Sequence, residues 1–121
     1  MGNDVVFLFG WGPEEEGRLS SLLYMVETAR AMKMNVTVFL FADGAVIAKK
    51  GAAAKISEEI GRRFAAILKK ERIEVYVCEE AAMKRGITRE NLEDGLVIAG
   101  YATLLNRAVS GKAVNHLKYF N

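Results

Sequence analysis

Among the side chains that could attack, coordinate or exchange protons, one stands where the chain changes its period: Cys78, the sole cysteine of 121 residues. It follows the apolar run Val75-Tyr76-Val77 and precedes Glu79-Glu80, which places its sulfur at a strand-to-helix junction. Unpaired N–H groups at the start of a helix stabilise a nearby thiolate, lowering a thiol from its ordinary value of about 8.5 and making it a nucleophile near neutrality. Glu79 and Glu80 act against this, because a second negative charge beside them is disfavoured. Lys84, Arg85 or a neighbouring subunit would have to offset them. The residue type alone favours an inert thiol, free cysteine being among the most buried side chains. A single cysteine also excludes an internal disulfide and a zinc site built from several thiolates.

Other chemistry-bearing residues are less informative. Asp43-Gly44 closes an apolar run and could set a carboxylate at a sheet edge, but Asp-Gly is first a turn dipeptide. His116, the only histidine, has no nucleophile or second ligand at a telling spacing and is read as incidental. A Ser-His-Asp or Cys-His mechanism would need the fold or a subunit contact to supply its partners. The segment Gly10-Trp11-Gly12-Pro13-Glu14-Glu15-Glu16-Gly17 stands after a strand and before a helix, where phosphate loops occur. Its chemistry opposes phosphate: Arg18-Leu19 replaces the required Lys-Ser/Thr, Pro13 has no N–H, and three carboxylates repel an anion. Glu15 also occupies the place of the third glycine of a dinucleotide loop. It is read as a plain turn.

Positioning these residues requires alternating elements. Asp4 to Phe9 is a continuous apolar run ended by Gly10 and Gly12-Pro13, the pattern of a strand buried on both faces. From Glu14 the period becomes helical, with Leu19, Leu22, Leu23, Val26 and Ala29 on one stripe and acidic residues in the first turn. Val36 to Phe41, rich in β-branched and aromatic residues, predicts a second strand before the Asp43-Gly44 turn. Gly51 and the alanines after it read as a mobile connector. Ser57 is an N-cap for a helix burying Ile60, Phe64, Ile67 and Leu68. Glu74 to Cys78 predicts a third strand, and Glu79 to Arg85 a short helix ended by Gly86. Leu96 to Ala99 is a fourth strand, Tyr101 to Val109 a helix stopped at Ser110-Gly111, and Asn115 to Phe120 a fifth, edge strand. Such alternation implies right-handed crossovers and an α/β fold: three α/β/α layers around a mainly parallel sheet of about five strands. Ligands of such sheets gather outside the carboxyl ends of the strands, which puts Cys78 on the functional edge.

Composition narrows the class. Hydrophobic residues make up 51% and charged residues 26%, a globular balance, and the length suits one domain over residues 1–121. Seventeen basic residues against fifteen acidic ones leave a net charge of +2, and the lysines and arginines are scattered among glutamates, which argues against nucleic acid as a partner. No apolar run approaches the roughly 20 residues of a membrane span. The sequence opens without the basic flank and cleavage site of a secretory signal, so a cytoplasmic protein is expected.

Four segments together resemble the DsrE/DsrF-like family of sulfur-relay proteins. They are the helix-to-strand segment Ala29-Arg30-Ala31-Met32-Lys33-Met34-Asn35-Val36-Thr37-Val38-Phe39, the loop Ala42-Asp43-Gly44-Ala45-Val46, the stretch Val75-Tyr76-Val77-Cys78 through Arg85-Gly86-Ile87, and Leu92 to Thr103. The likeness covers nearly the whole chain as a single DsrE/DsrF-like domain. It implies that Cys78, at the position of the family's cysteine after the third strand, accepts sulfane sulfur as a persulfide and passes it on without a metal or organic cofactor. It also implies a homotrimer or homohexamer working with a rhodanese-like donor and a small sulfur-carrier acceptor. The backbone N–H groups after the third strand and Arg85 would then stabilise the sulfur anion, while Asp43 and Gly44 shape the pocket. The second cysteine that some relatives carry nearby is missing, which removes any intrachain resolving step. The rival expectation is a non-catalytic oligomeric module that binds a ligand or protein and keeps an inert cysteine.

Overall fold

The computed structural model describes residues 4–110 and 114–119, with the backbone alone for 109, 110 and 114–119. Five strands, β1 (Asp4–Phe9), β2 (Asn35–Leu40), β3 (Ile73–Cys78), β4 (Leu96–Ala99) and β5 (Val114–Tyr119), form one sheet in the order β4-β3-β2-β1-β5. Every neighbouring pair is parallel. Between them run α1 (Glu16–Ala31), a 3-10 segment (Ala42–Ala48), α2 (Ala52–Ile56), α3 (Glu58–Leu68), α4 (Glu79–Lys84) and α5 (Tyr101–Ser110).

Register divides the strand residues between two faces, because side chains of paired residues in a parallel sheet point the same way. One face carries Val5, Phe7 and Phe9 of β1 beside Val36, Val38 and Leu40 of β2, then Val75 and Val77 of β3. All eight are buried. The other carries Asp4, Asn35 and Glu74 at its amino end and Phe39, Tyr76 and Cys78 toward its carboxyl end. Strand order advances steadily from β1 to β4 and then returns across the sheet to β5. Right-handed crossovers therefore put α1 and α3 on the apolar face and α5 on the opposite one, giving three layers.

The helices form for the reasons the sequence indicates. In α1 Leu19, Leu22, Leu23, Val26 and Ala29 are all buried. The helix begins at Glu16 rather than Glu14 because Glu15 N–H first closes a turn onto the Gly12 carbonyl at 3.0 Å. Ser57 caps α3, its hydroxyl accepting from Ile60 N–H at 3.1 Å, and Ile60, Phe64 and Ile67 are buried while Leu68 is half-buried. Arg63 ties α3 to α1 through two bonds to Glu27, at 3.1 and 3.2 Å, with its guanidinium 4.0 Å from the centre of the Tyr24 ring. Gly86, at φ +68°, takes the left-handed position just past α4.

One expectation fails. The stretch after Gly51 is α2, not a mobile connector. Alanine is the best helix former, and the segment is pinned at its start: Gly51 N–H donates to the Glu93 carboxylate at 3.0 Å and Lys50 N–H to the Asn91 carbonyl at 2.7 Å. Asp43-Gly44 does make a turn, and that turn continues as the 3-10 segment. The last strand is β5, paired with β1 at the sheet edge. Of the stop expected at Ser110-Gly111, Gly111 lies outside the described residues, as does Phe120 of the expected last strand.

Candidate functional site

Cys78 ends β3 in register with Ala99 of β4 and occupies the N-cap position of α4. It is only 1% exposed. Its side chain makes no capping hydrogen bond, so the expected stabilisation by helix amides is not realised as a cap. The phenol that the sulfur perturbs is that of Tyr101, the first residue of α5. β3 lies between β2 and β4, and the Tyr101 ring, two residues beyond Ala99, packs 6.3 Å from the ring of Phe39 in β2. The phenol thus reaches across β3 on the face that Cys78 shares with Phe39.

Tyr101 is half exposed. Its hydroxyl is held above the ordinary tyrosine value, first by hydrogen bonding with Cys78 and its charge, then by burial and by Glu80. A phenolate beside a thiolate and a carboxylate would add a like charge, so the group keeps its proton and serves as an O–H donor at neutral pH.

The structure brings Asp43 and Arg85 to each other. Arg85 Nη2 lies 2.8 Å from Asp43 Oδ1, and Nη1 donates to the Ala81 carbonyl at 3.1 Å. This pair joins the end of α4 to the 3-10 segment after β2. Arg85 follows the helix that Cys78 precedes, about 10 Å along at 1.5 Å per residue, and its guanidinium is engaged there. Gly44 packs where the 3-10 segment crosses the end of β1, so close that a Cβ would collide with the Phe9 carbonyl oxygen.

Trp11 and Arg18 stack on one another, the guanidinium 3.8 Å from the ring centre, and Arg18 also pairs with Glu15 at 3.2 Å. The β1–α1 turn is therefore closed by its own residues. His116 stands in β5 opposite Val6; its side chain lies outside the described residues. Sequence reasoning does not single out Tyr101. Its one signal is a tyrosine immediately after Gly100, at the carboxyl edge where Cys78 also lies.

Among the described residues, no helix is long and apolar enough to cross a membrane. The fold is shared with the ychN protein of E. coli, whose crystal structure gives a TM-score of 0.80 at 21% identity, covering 97% of this chain and 100% of that one. It is shared also with MTH1491 of Methanobacterium thermoautotrophicum, a protein of unknown function, with a TM-score of 0.69 at 17% identity over 95% of this chain and 99% of that one. In sequence the chain is similar to the uncharacterized protein MJ0760 of Methanocaldococcus jannaschii, with 40% identity over 86 residues, 68% of this chain but 31% of that protein. It spans about a third of that relative's length. The model of the DsrE/DsrF-like family matches residues 3–114, and with that extent of match the chain belongs to the DsrE/DsrF-like family.

Proposed function

We propose that this protein is a sulfur carrier whose Cys78 accepts sulfane sulfur as a persulfide and delivers it to a partner protein. The observation that carries the reading is the placement of the chain's only thiol at the carboxyl edge of a parallel sheet, on the face along which the Tyr101 ring reaches to Phe39. The chemistry is a pair of exchanges. Cys78 thiolate attacks the outer sulfur of a donor persulfide; a new S–S bond forms, the donor's S–S bond breaks, and the donor leaves as thiolate. An acceptor thiolate then attacks the outer sulfur on Cys78 and releases the Cys78 thiolate. Each step breaks and makes one S–S bond, so no external oxidant is consumed. With no second cysteine, both exchanges are intermolecular.

In this reading residues 1–121 form one DsrE/DsrF-like domain, cytoplasmic and assembled as a homotrimer or homohexamer. A rhodanese-like protein is the donor and a small sulfur-carrier protein the acceptor. The Asp43–Arg85 pair and Gly44 shape the rim between α4 and the 3-10 segment. Polysulfide treatment of the purified protein, followed by intact-mass measurement, is expected to add one sulfur to the wild type and none to Cys78→Ser.

A second reading is favoured by the 1% exposure of Cys78: an oligomeric ligand- or protein-binding module of the same fold with an inert thiol. No sulfur gain from polysulfide, persulfide or thiosulfate donors would decide for it.

A further inference from the structure

Cys78 is 1% exposed, while Tyr101, two residues beyond the Ala99 that pairs with it, is 50% exposed. Phe39 and Tyr76 are buried and share the face on which Cys78 lies. The Tyr101 ring spans from the end of β4 to Phe39 of β2, across the strand that carries the sulfur. It is the half-exposed ring on the sheet face that holds the buried thiol.

We infer that Tyr101 is a catalytic residue of the sulfur exchange, its ring covering Cys78 and its hydroxyl donating a hydrogen bond to the sulfur anion. This rests on the sulfur-carrier reading. Both exchanges pass through an anionic Cys78 sulfur, as attacking group in the first and as leaving group in the second, so a donor fixed beside it serves both. It is also the answer to the acidic start of α4. Glu79 and Glu80 bring negative charge, the Arg85 guanidinium is held by Asp43, and Tyr76 on the same face is bonded to Arg107. A neutral O–H adds a donor without adding charge. The added sulfur of a persulfide needs space beyond a 1% exposed thiol. The ring is the half-exposed group whose reorientation opens that space without unpacking the sheet.

The test separates donor from cover. Alkylation of Cys78 by iodoacetamide is followed from neutral to alkaline pH in wild type, Tyr101→Phe and Tyr101→Ala, with circular dichroism to verify folding. The Phe variant keeps the ring and loses the hydroxyl. Its rate at neutral pH is expected to fall about three- to tenfold, the scale of one charge-assisted hydrogen bond at a half-exposed site, and its rate–pH curve to move to higher pH with an unchanged plateau. In Tyr101→Ala the plateau is expected to rise. A Phe curve that superimposes on wild type overturns the donor, and an Ala plateau that does not rise overturns the cover. Should the Ala variant fail to fold, Tyr101→Leu takes its place. Alkylation uses no sulfane donor, so the result stands apart from the relay itself. Wild type that gains no sulfur while the Phe curve is displaced overturns the carrier reading and not the hydrogen bond; sulfur uptake with an unmoved Phe curve does the reverse.

Discussion

Tyr101 depends electrostatically on Cys78, and the dependence can be measured from the tyrosine. Its hydroxyl is held above the ordinary value of about 10, chiefly by the cysteine. In Cys78→Ser that influence disappears, so the phenolate is expected to form at lower pH than in wild type. Ultraviolet titration, with Tyr101→Phe subtracted to isolate this phenol from the other tyrosines, checks it; an unmoved titration would show that the two groups do not interact. Cys78 was legible in the sequence because it is the only thiol and ends an apolar run. Tyr101 was not, because its place over the sulfur depends on β3 lying between β2 and β4, and sheet order is not written in local periodicity. Arg85 was legible as a cation near the third strand, but its partner Asp43 lies 42 positions away in sequence, a contact that only the packing of α4 against the 3-10 segment creates.

The elements around the site are held by close approaches as much as by apolar stripes. Gly44 is the tightest: the Phe9 carbonyl accepts from Phe41 N–H at 3.0 Å, and Gly44 packs against that same oxygen. In Gly44→Ala the collision is with backbone, which cannot rotate away. The variant is expected to lose at least about 2 kcal/mol, read as a lower denaturation midpoint at unchanged slope. Wild-type stability in that variant would mean the 3-10 segment can lift off β1. The amphipathic elements were legible because burial follows a fixed period, as the stripe of α1 and the Ser57 cap illustrate. Helix α2 was missed for a physical reason. Five residues form a helix there because Gly51 N–H is bonded to Glu93, 42 residues on, and because Ala54 packs against Gly61 of α3; neither constraint is local.

Across the whole sheet, protection should follow strand order. β2 is paired on both sides and five of its six residues are buried, whereas β4 is an edge strand with Val97 54% exposed. Amide exchange is therefore expected to be slowest in β2 and fastest among the strands of residues 4–99 in β4. Hydrogen-exchange mass spectrometry checks the ranking, and a β2 that exchanges as fast as β4 would contradict the strand order. The parallel α/β layering was legible throughout, since alternating strands and helices leave few other topologies. The polar amino end of the α5-side face was less so: Asp4, Asn35 and Glu74 read locally as strand-end residues, and only register shows Asp4 opposite Asn35 and Glu74 opposite Thr37 on the same face.

Arg107 adds a consequence for how the Cys78 sulfur can be uncovered. From α5 it reaches Glu74 at 2.9 Å and the Tyr76 hydroxyl at 3.1 Å, clamping the helix less than two turns beyond Tyr101. With its backbone anchored there, uncovering the thiol calls for a single side-chain rotation, in the picosecond-to-nanosecond range, and not for a helix displacement in the microsecond-to-millisecond range. In the proposed relay the ring then lowers the exchange rate by the share of time it stays closed, and adds no slow step of its own.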